Sequence, residues 1–174
     1  MTGRPWVLRL IGVAFALLIY FIDQGVKTHL IGVIDLKRIG AIEILPFFDL
    51  RWTENYGVSL GLLTADSTEM RWFLVALTAA IALFVAVWML REKAMADIAG
   101  LAMILGGALG NITDRYNYGY VVDYADLHFG EFRPFLIFNI ADAAITIGVV
   151  IILARSLLSR EKRGEAAAQT APES

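Results

Sequence analysis

Residues 135–154 read FLIFNIADAAITIGVVIILA, and one ionisable side chain, Asp142, interrupts an otherwise uncharged run. A helix needs about 20 apolar residues to cross the hydrocarbon of a bilayer, so the stretch is long enough to span one. A carboxylate inside such a span costs at least about 2.5 kcal/mol, so it is a candidate functional group and calls for a partner. Asn139, three residues earlier, falls on the same helical face. A helix starting at 135 would bury Asp142 about two turns inside the membrane boundary.

Outward from this run the same character recurs. The chain has 174 residues, 58% of them hydrophobic, with a mean hydropathy of +0.64 and charge confined to short clusters. Whole helix lengths are apolar on every side, which excludes a soluble amphipathic bundle and gives an α-helical integral membrane protein. Four spans are predicted, over about 10–28, 72–90, 98–115 and 135–155. Arg4 and Arg9 before the first imitate a secretory signal, but no small-residue cleavage site follows, so the segment reads as a retained span. Trp72 and Trp88 suit the two interfaces of the second. The third is short and glycine-rich, and its Gly106-x-x-x-Gly110 spacing permits close helix contact. Residues 1–163 form one membrane-embedded domain, and the Ala/Glu/Gln/Pro-rich tail 164–174 is expected to be disordered and cytoplasmic.

Basic residues set the expected orientation. Arg4 and Arg9, then Arg91 and Lys93, then Arg155, Arg160, Lys162 and Arg163 flank span ends on one side, so both termini and the link between spans two and three are expected in the cytoplasm. The connections 23–70 and 114–134, richer in acids than bases, fall outside. In the first of these, Asp49 to Tyr56 alternates between Leu50, Trp52, Glu54, Tyr56 and Asp49, Arg51, Thr53, Asn55, bounded by Pro46 and Gly57. That period of two predicts a strand in a small outer β region. Residues 120–132, aromatic and β-branched, are a candidate to pair with it.

Composition removes some chemistry. Without cysteine there is no thiolate nucleophile or thiolate metal site, and His29 and His128 lie far apart, so no metal or other cofactor is expected. The net charge of −2 gives no reason to expect nucleic acid. Asp123, in Gly119-Tyr-Val-Val-Asp123, falls at the outer edge of the membrane on the same side as Asp142. Two carboxylates near an apolar boundary can share one proton, because desolvation and like charge hold one of them neutral. Such a pair can activate water with one member and protonate a carbonyl oxygen with the other. Asn111 and Arg115 are four apart and share a face, with Asp114 between them. Plainer readings stand beside this. Asp142 with Asn139 also suits a structural contact between helices, and Arg115 with Asp114 or Asp123 a surface ion pair. Asp126 competes with Asp123, and Asp23 with Lys27 suits an interfacial ion pair anchoring the first span.

Five motifs, in order, carry a resemblance: Asp23-Gln-x-x-Lys27, Asn55-x-Gly57, Gly106-Gly107-Ala-Leu-Gly110-Asn111-x-x-Asp114-Arg115, Gly119-x-Val-Val-Asp123 and Phe138-Asn139-x-Ala141-Asp142. Over residues 5–155 the chain closely resembles the bacterial lipoprotein (type II) signal peptidases. The resemblance implies an aspartic endopeptidase of the inner membrane that removes signal peptides from diacylglyceryl-modified prolipoproteins, cutting before the lipidated cysteine. It implies Asp123 and Asp142 as the catalytic pair. Asn55, Asn111, Arg115 and Asn139 would hold substrate or the carboxylates, and Asp23, Lys27 and Asp114 would support the polar architecture. It also implies four spans under an extracytoplasmic β-cradle, here about 40–60, and lipid-modified precursors as partners within membrane lipid; the sequence does not fix the oligomeric state, and a monomer is expected. Leu60 departs from the aromatic residue common at that position. The alternative is a small proton-coupled transporter or membrane scaffold that uses Asp142 as a relay or helix contact.

Overall fold

The computed structural model describes residues 5–57 and 68–169, with side chains described for 6–57 and 68–158. Its elements are α1 (Pro5–Gly32), α2 (Leu36–Ile39), β1 (Ala41–Leu45), β2 (Phe48–Asn55), α3 (Thr68–Arg91), α4 (Met95–Asn117), β3 (Val121–Leu127) and α5 (Ile140–Gln169). Four helices are long and apolar enough to cross a membrane, over Trp6–Gly32, Thr68–Arg91, Met95–Asn117 and Ile140–Leu158. Each expected span is therefore found, three of them longer than expected. Leu60 lies outside the described residues.

α4 is the central helix. In its most apolar window 44% of residues are buried, against 17–22% in the other three, and it packs on α1, α3 and α5 while α3 and α5 make no extensive contact. The glycines explain how it reaches this position. A Cβ at Gly106 would meet Ala16 O and Ile19, and one at Gly107 would meet Ala141 O and Ile145. Small residues at these points let helix backbones approach where lipid offers no hydrophobic drive for association. Ala16, Val85, Met89, Ile98, Leu101 and Ala102 form the buried core between the helices. The outer faces carry exposed Leu17, Phe21, Phe73, Phe84, Val150 and Leu153, the surface expected of a protein solvated by acyl chains.

β1, β2 and β3 form one antiparallel sheet in that order. β2 matches the strand expected from the alternation, and residues 121–127 do pair with it: Thr53 faces Asp123 and Asn55 faces Val121 across the ladder. β1 has no alternating signal of its own and is held by its hairpin with β2. Leu30 and Leu36, at and after the end of α1, pack with Tyr124 and Ala125 of β3, fixing the sheet to the helices.

Two expectations are corrected here. Residues 135–139 are not helical: Phe138 bridges to Ala125 of the sheet, donating its N–H to Ala125 O at 3.1 Å and accepting the Ala125 N–H at 2.8 Å. The fourth helix starts at Ile140, so Asp142 sits in its first turn rather than two turns deep. At the other end α5 runs to Gln169, into the stretch expected to lack structure; its Glu-Ala-Ala-Ala sequence consists of strong helix formers. Residues 170–174 lie outside the described residues.

Candidate active site

Asn139 immediately precedes α5, and its Oδ1 accepts the Asp142 N–H at 2.8 Å, the bond an asparagine makes as N-cap. The Asn139 Nδ2 donates to Asp123 Oδ1 at 2.7 Å and to Val122 O at 3.3 Å. One side chain therefore ties the first turn of α5 to the middle of β3, and with them the two candidate carboxylates. Asn111, on α4, donates to Asp142 Oδ1 at 2.8 Å, and Asn55, at the end of β2, donates to Asp123 Oδ2 at 3.0 Å. Four elements thus converge on two carboxyl groups. Asp123 is 1% exposed, Asp142 half-buried.

Behind them lies a second polar layer. Lys27 Nζ is 2.9 Å from Asp23 Oδ2 and 2.7 Å from Asp114 Oδ2, with all three side chains out of solvent. A buried cation between two carboxylates is tolerable only where the remaining lone pairs find donors. They do: Asp23 Oδ1 accepts the Ala141 N–H at 3.0 Å, Asp114 Oδ2 the Val122 N–H at 3.1 Å, and Asp114 Oδ1 the Gln24 amide at 2.9 Å. Asp23 thus stabilises the N-terminal end of α5, where unpaired N–H groups and the helix dipole favour a carboxylate. Lys27 also donates to Asn111 Oδ1 at 3.3 Å, which turns the Asn111 amide so that its NH₂ faces Asp142. Removing one partner of such a buried pair costs roughly 3–5 kcal/mol.

The interfacial role expected of Asp23 and Lys27 is accordingly corrected. The ion pair exists but is enclosed, because Gly110 of α4 leaves room for the Asp23 carboxylate, which a Cβ there would strike. Among the described residues Arg115 makes no surface ion pair either. It is 8% exposed, donates to Gly57 O at 2.8 Å and to Asn111 O at 3.5 Å, and holds the end of β2 against α4. Asp126, three residues beyond Asp123, points to the opposite side of the strand and is held by Arg51 at 2.9 Å and Arg133 at 3.1 Å.

Burial raises the Asp123 carboxyl to about 7, from an ordinary 3.8, and the neighbouring Asp142 charge adds to the rise. Hydrogen bonds from Asn55 and Asn139 and the Lys27 charge oppose it without cancelling it. Asp142, Asn55, Asn111 and Arg115 line one end of a cavity of about 280 Å³ that continues between α3 and α5 along Thr78, Ile81, Ile104, Ala108, Ile145 and Thr146. Among the described residues no group of three or more His, Cys, Asp or Glu is arranged to hold a metal ion.

Two contributors were not singled out from sequence. Gln24 stood inside a quoted motif, yet its role as the amide joining Asp114 to Gly110 O depends on α1 packing against α4. Arg71, in the first turns of α3, donates to Arg115 O at 2.9 Å and to Tyr116 O at 2.5 Å, covering carbonyls at the C-terminal end of α4. No local pattern marks a basic side chain that acts on another helix.

Comparison with known proteins agrees with the motifs. Residues 15–158 match the family model described as signal peptidase (SPase) II. The lipoprotein signal peptidase of Sphingopyxis alaskensis is 51% identical over 158 residues, covering 91% of both chains. That of Rhizorhabdus wittichii is 52% identical over 155 residues, covering 89% of this chain and 90% of its own. A solved bacterial membrane enzyme superposes with a TM-score of 0.72 at 25% identity, covering 94% of this chain and 93% of that one. A second gives 0.70 at 29% identity over 84% and 92%. With a family match across most of its length and half identity to such relatives, the chain belongs to the signal peptidase II family of membrane proteases.

Proposed function

We propose that Asp142 and Asp123 are the catalytic carboxylates of this protease and that its substrates are lipid-modified prolipoproteins, cleaved before the lipidated cysteine. The observation that carries the assignment is the Asn139 bridge, which ties the Asp123 carboxyl to the backbone N–H of Asp142, while Asn111 holds the Asp142 carboxyl, at the head of a cavity running between α3 and α5. That cavity suits an apolar signal segment entering sideways from the bilayer. Asn55, Asn111 and Arg115 position the carboxylates or the peptide; Asp23, Lys27 and Asp114 support them from behind.

Asp142 lines the cavity, and its Oδ2 takes no hydrogen bond among the described residues, which suits it to act as base. Asp123, raised to about 7, suits the acid. Water gives a proton to Asp142 as its oxygen attacks the scissile carbonyl carbon, and the Asp123 proton passes to the carbonyl oxygen, forming a tetrahedral diol. Collapse breaks the C–N bond. The proton on Asp142 moves to the leaving nitrogen and a diol proton returns to Asp123, so both carboxyls regain their starting states with no acyl-enzyme. The asparagine bonds hold the two groups in register for this exchange.

The charge distribution supports both termini in the cytoplasm and the sheet with the carboxylates on the outer face of the inner membrane. Monomeric action suits a site built wholly from one chain. Purified Asp123→Asn and Asp142→Asn variants, incubated with a diacylglyceryl-modified precursor, should each lose at least about a thousandfold in cleavage while remaining folded and inserted. Cleavage undiminished in either variant overturns the pair. A proton relay through Asp142 alone would tolerate Asp123→Asn.

A further inference from the structure

A peptide bond inside a regular helix has its N–H and C=O already bonded to neighbouring turns, so the segment ahead of the cleavage point must unwind to meet the carboxylates. Each amide released in this way loses its helical partner, and at membrane depth an unpaired amide is costly. The cavity wall beyond the asparagines and Arg115 is poor in partners. Ile81, Ile104, Ala108 and Ile145 are apolar, which leaves Thr78 on α3 and Thr146 on α5. The Thr78 hydroxyl already donates to Leu74 O at 2.7 Å within its own helix. Thr146 lies one helical turn after Asp142 on the same face, is exposed on the open side of the cavity, and its hydroxyl takes no bond among the described residues. It is the unspent hydroxyl donor in this part of the wall, next to where the chain must open.

Resting on the proposed cleavage of lipidated precursors, we propose that Thr146 is a substrate-binding residue that hydrogen-bonds the backbone of the unwound signal segment just ahead of the scissile bond. The hydroxyl replaces a bond that the segment gave up on leaving its helix. Because the contact is to backbone, it favours unwinding without demanding a particular side chain. Thr78, facing it from α3, retains lone pairs that can accept an N–H from the same segment.

The test pairs Thr146→Val, which keeps the shape and removes the hydroxyl, with Thr146→Ser, which restores it. With a lipidated precursor, kcat/KM should fall about tenfold in Thr146→Val and return to within about twofold of wild type in Thr146→Ser, as expected for one hydrogen bond. The pH profile should keep its shape, since the carboxylates are untouched. Semisynthetic precursors then carry an ester in place of each amide in turn ahead of the scissile bond, which removes the N–H and weakens the carbonyl as acceptor. At one position the wild-type protein should lose about tenfold, and there Thr146→Val should cost less than about twofold more, the non-additivity of groups that share one bond. The proposal is overturned if Thr146→Val cleaves the all-amide precursor as wild type does, or if its loss persists undiminished with every ester. It is overturned equally if wild type cleaves every ester at one rate, a result that needs no variant to fold. Failure of the wider reading looks different: Asp142→Asn would then cleave the precursor whatever happens at Thr146.

Discussion

At the scale of the residue, Asp123 shows how neighbours set a proton. Its carboxyl stands near 7 because burial penalises the charged form and Asp142 adds like charge. With Asp123 as the acid, kcat/KM should fall on the alkaline side as pH rises through about 7, and a steady-state profile on a lipidated precursor measures the limb. Stability responds to the same group. The raised value means that between 3.8 and about 7 the folded state holds more protons on this carboxyl than the unfolded chain does. Stability from this group is therefore full below 3.8 and is lost as pH rises through about 7. Asp123→Asn removes that slope. Thermal unfolding in detergent should show the variant gaining on wild type from pH 5 to pH 8, by roughly 1–3 kcal/mol; an unchanged difference would mean that Asp123 is already ionised at pH 5.

At the scale of the element, α4 organises the site through its ends and its glycines. Its last turns carry Asn111, Asp114 and Arg115, and Arg71 of α3 covers the carbonyls of Arg115 and Tyr116 at the negative end of the helix. Gly107 lets the first turn of α5 approach, which sets where Asp142 meets Asn111. Gly107→Ala forces a Cβ against Ala141 O and Ile145 and should cost about 1–3 kcal/mol of unfolding free energy, with a larger loss of cleavage because Asp142 moves relative to Asn111. Circular dichroism melts and initial rates on one preparation separate the two effects. The strand at 49–56 was legible because its side chains alternate, whereas β1 was not, since it gains its identity from the hairpin partner. The start of α5 is not legible in the sequence because apolar composition continues through 135–139, while pairing of Phe138 with Ala125 keeps those residues out of the helix.

At the scale of the whole molecule, the four helices and the sheet divide the labour between lipid and chemistry. The outer helix faces are apolar, and the polar groups collect where α1, α4, α5 and the sheet meet. Topology is directly testable because the chain has no cysteine of its own. Glu131, beside β3, and Lys93, between α3 and α4, are both exposed. In intact spheroplasts a membrane-impermeant thiol reagent should label Glu131→Cys, and it should label Lys93→Cys only after permeabilisation. The reverse pattern would invert the protein and put the carboxylates on the wrong face for exported precursors.

The sequence by itself determined that this chain crosses a membrane four times, that an acid in its last span requires a partner, and which polar residues recur in family order. Those conclusions rest on composition, periodicity and local spacing, which a linear chain carries in full. Tertiary structure alone decided that Asn139 ties the Asp123 carboxyl to the turn that carries Asp142, that Lys27 is enclosed between Asp23 and Asp114, and that Asp142 stands in a first turn. Each of these depends on groups far apart in the chain being brought within hydrogen-bond distance. Burial, which fixes their charge, exists only once the helices have closed around them.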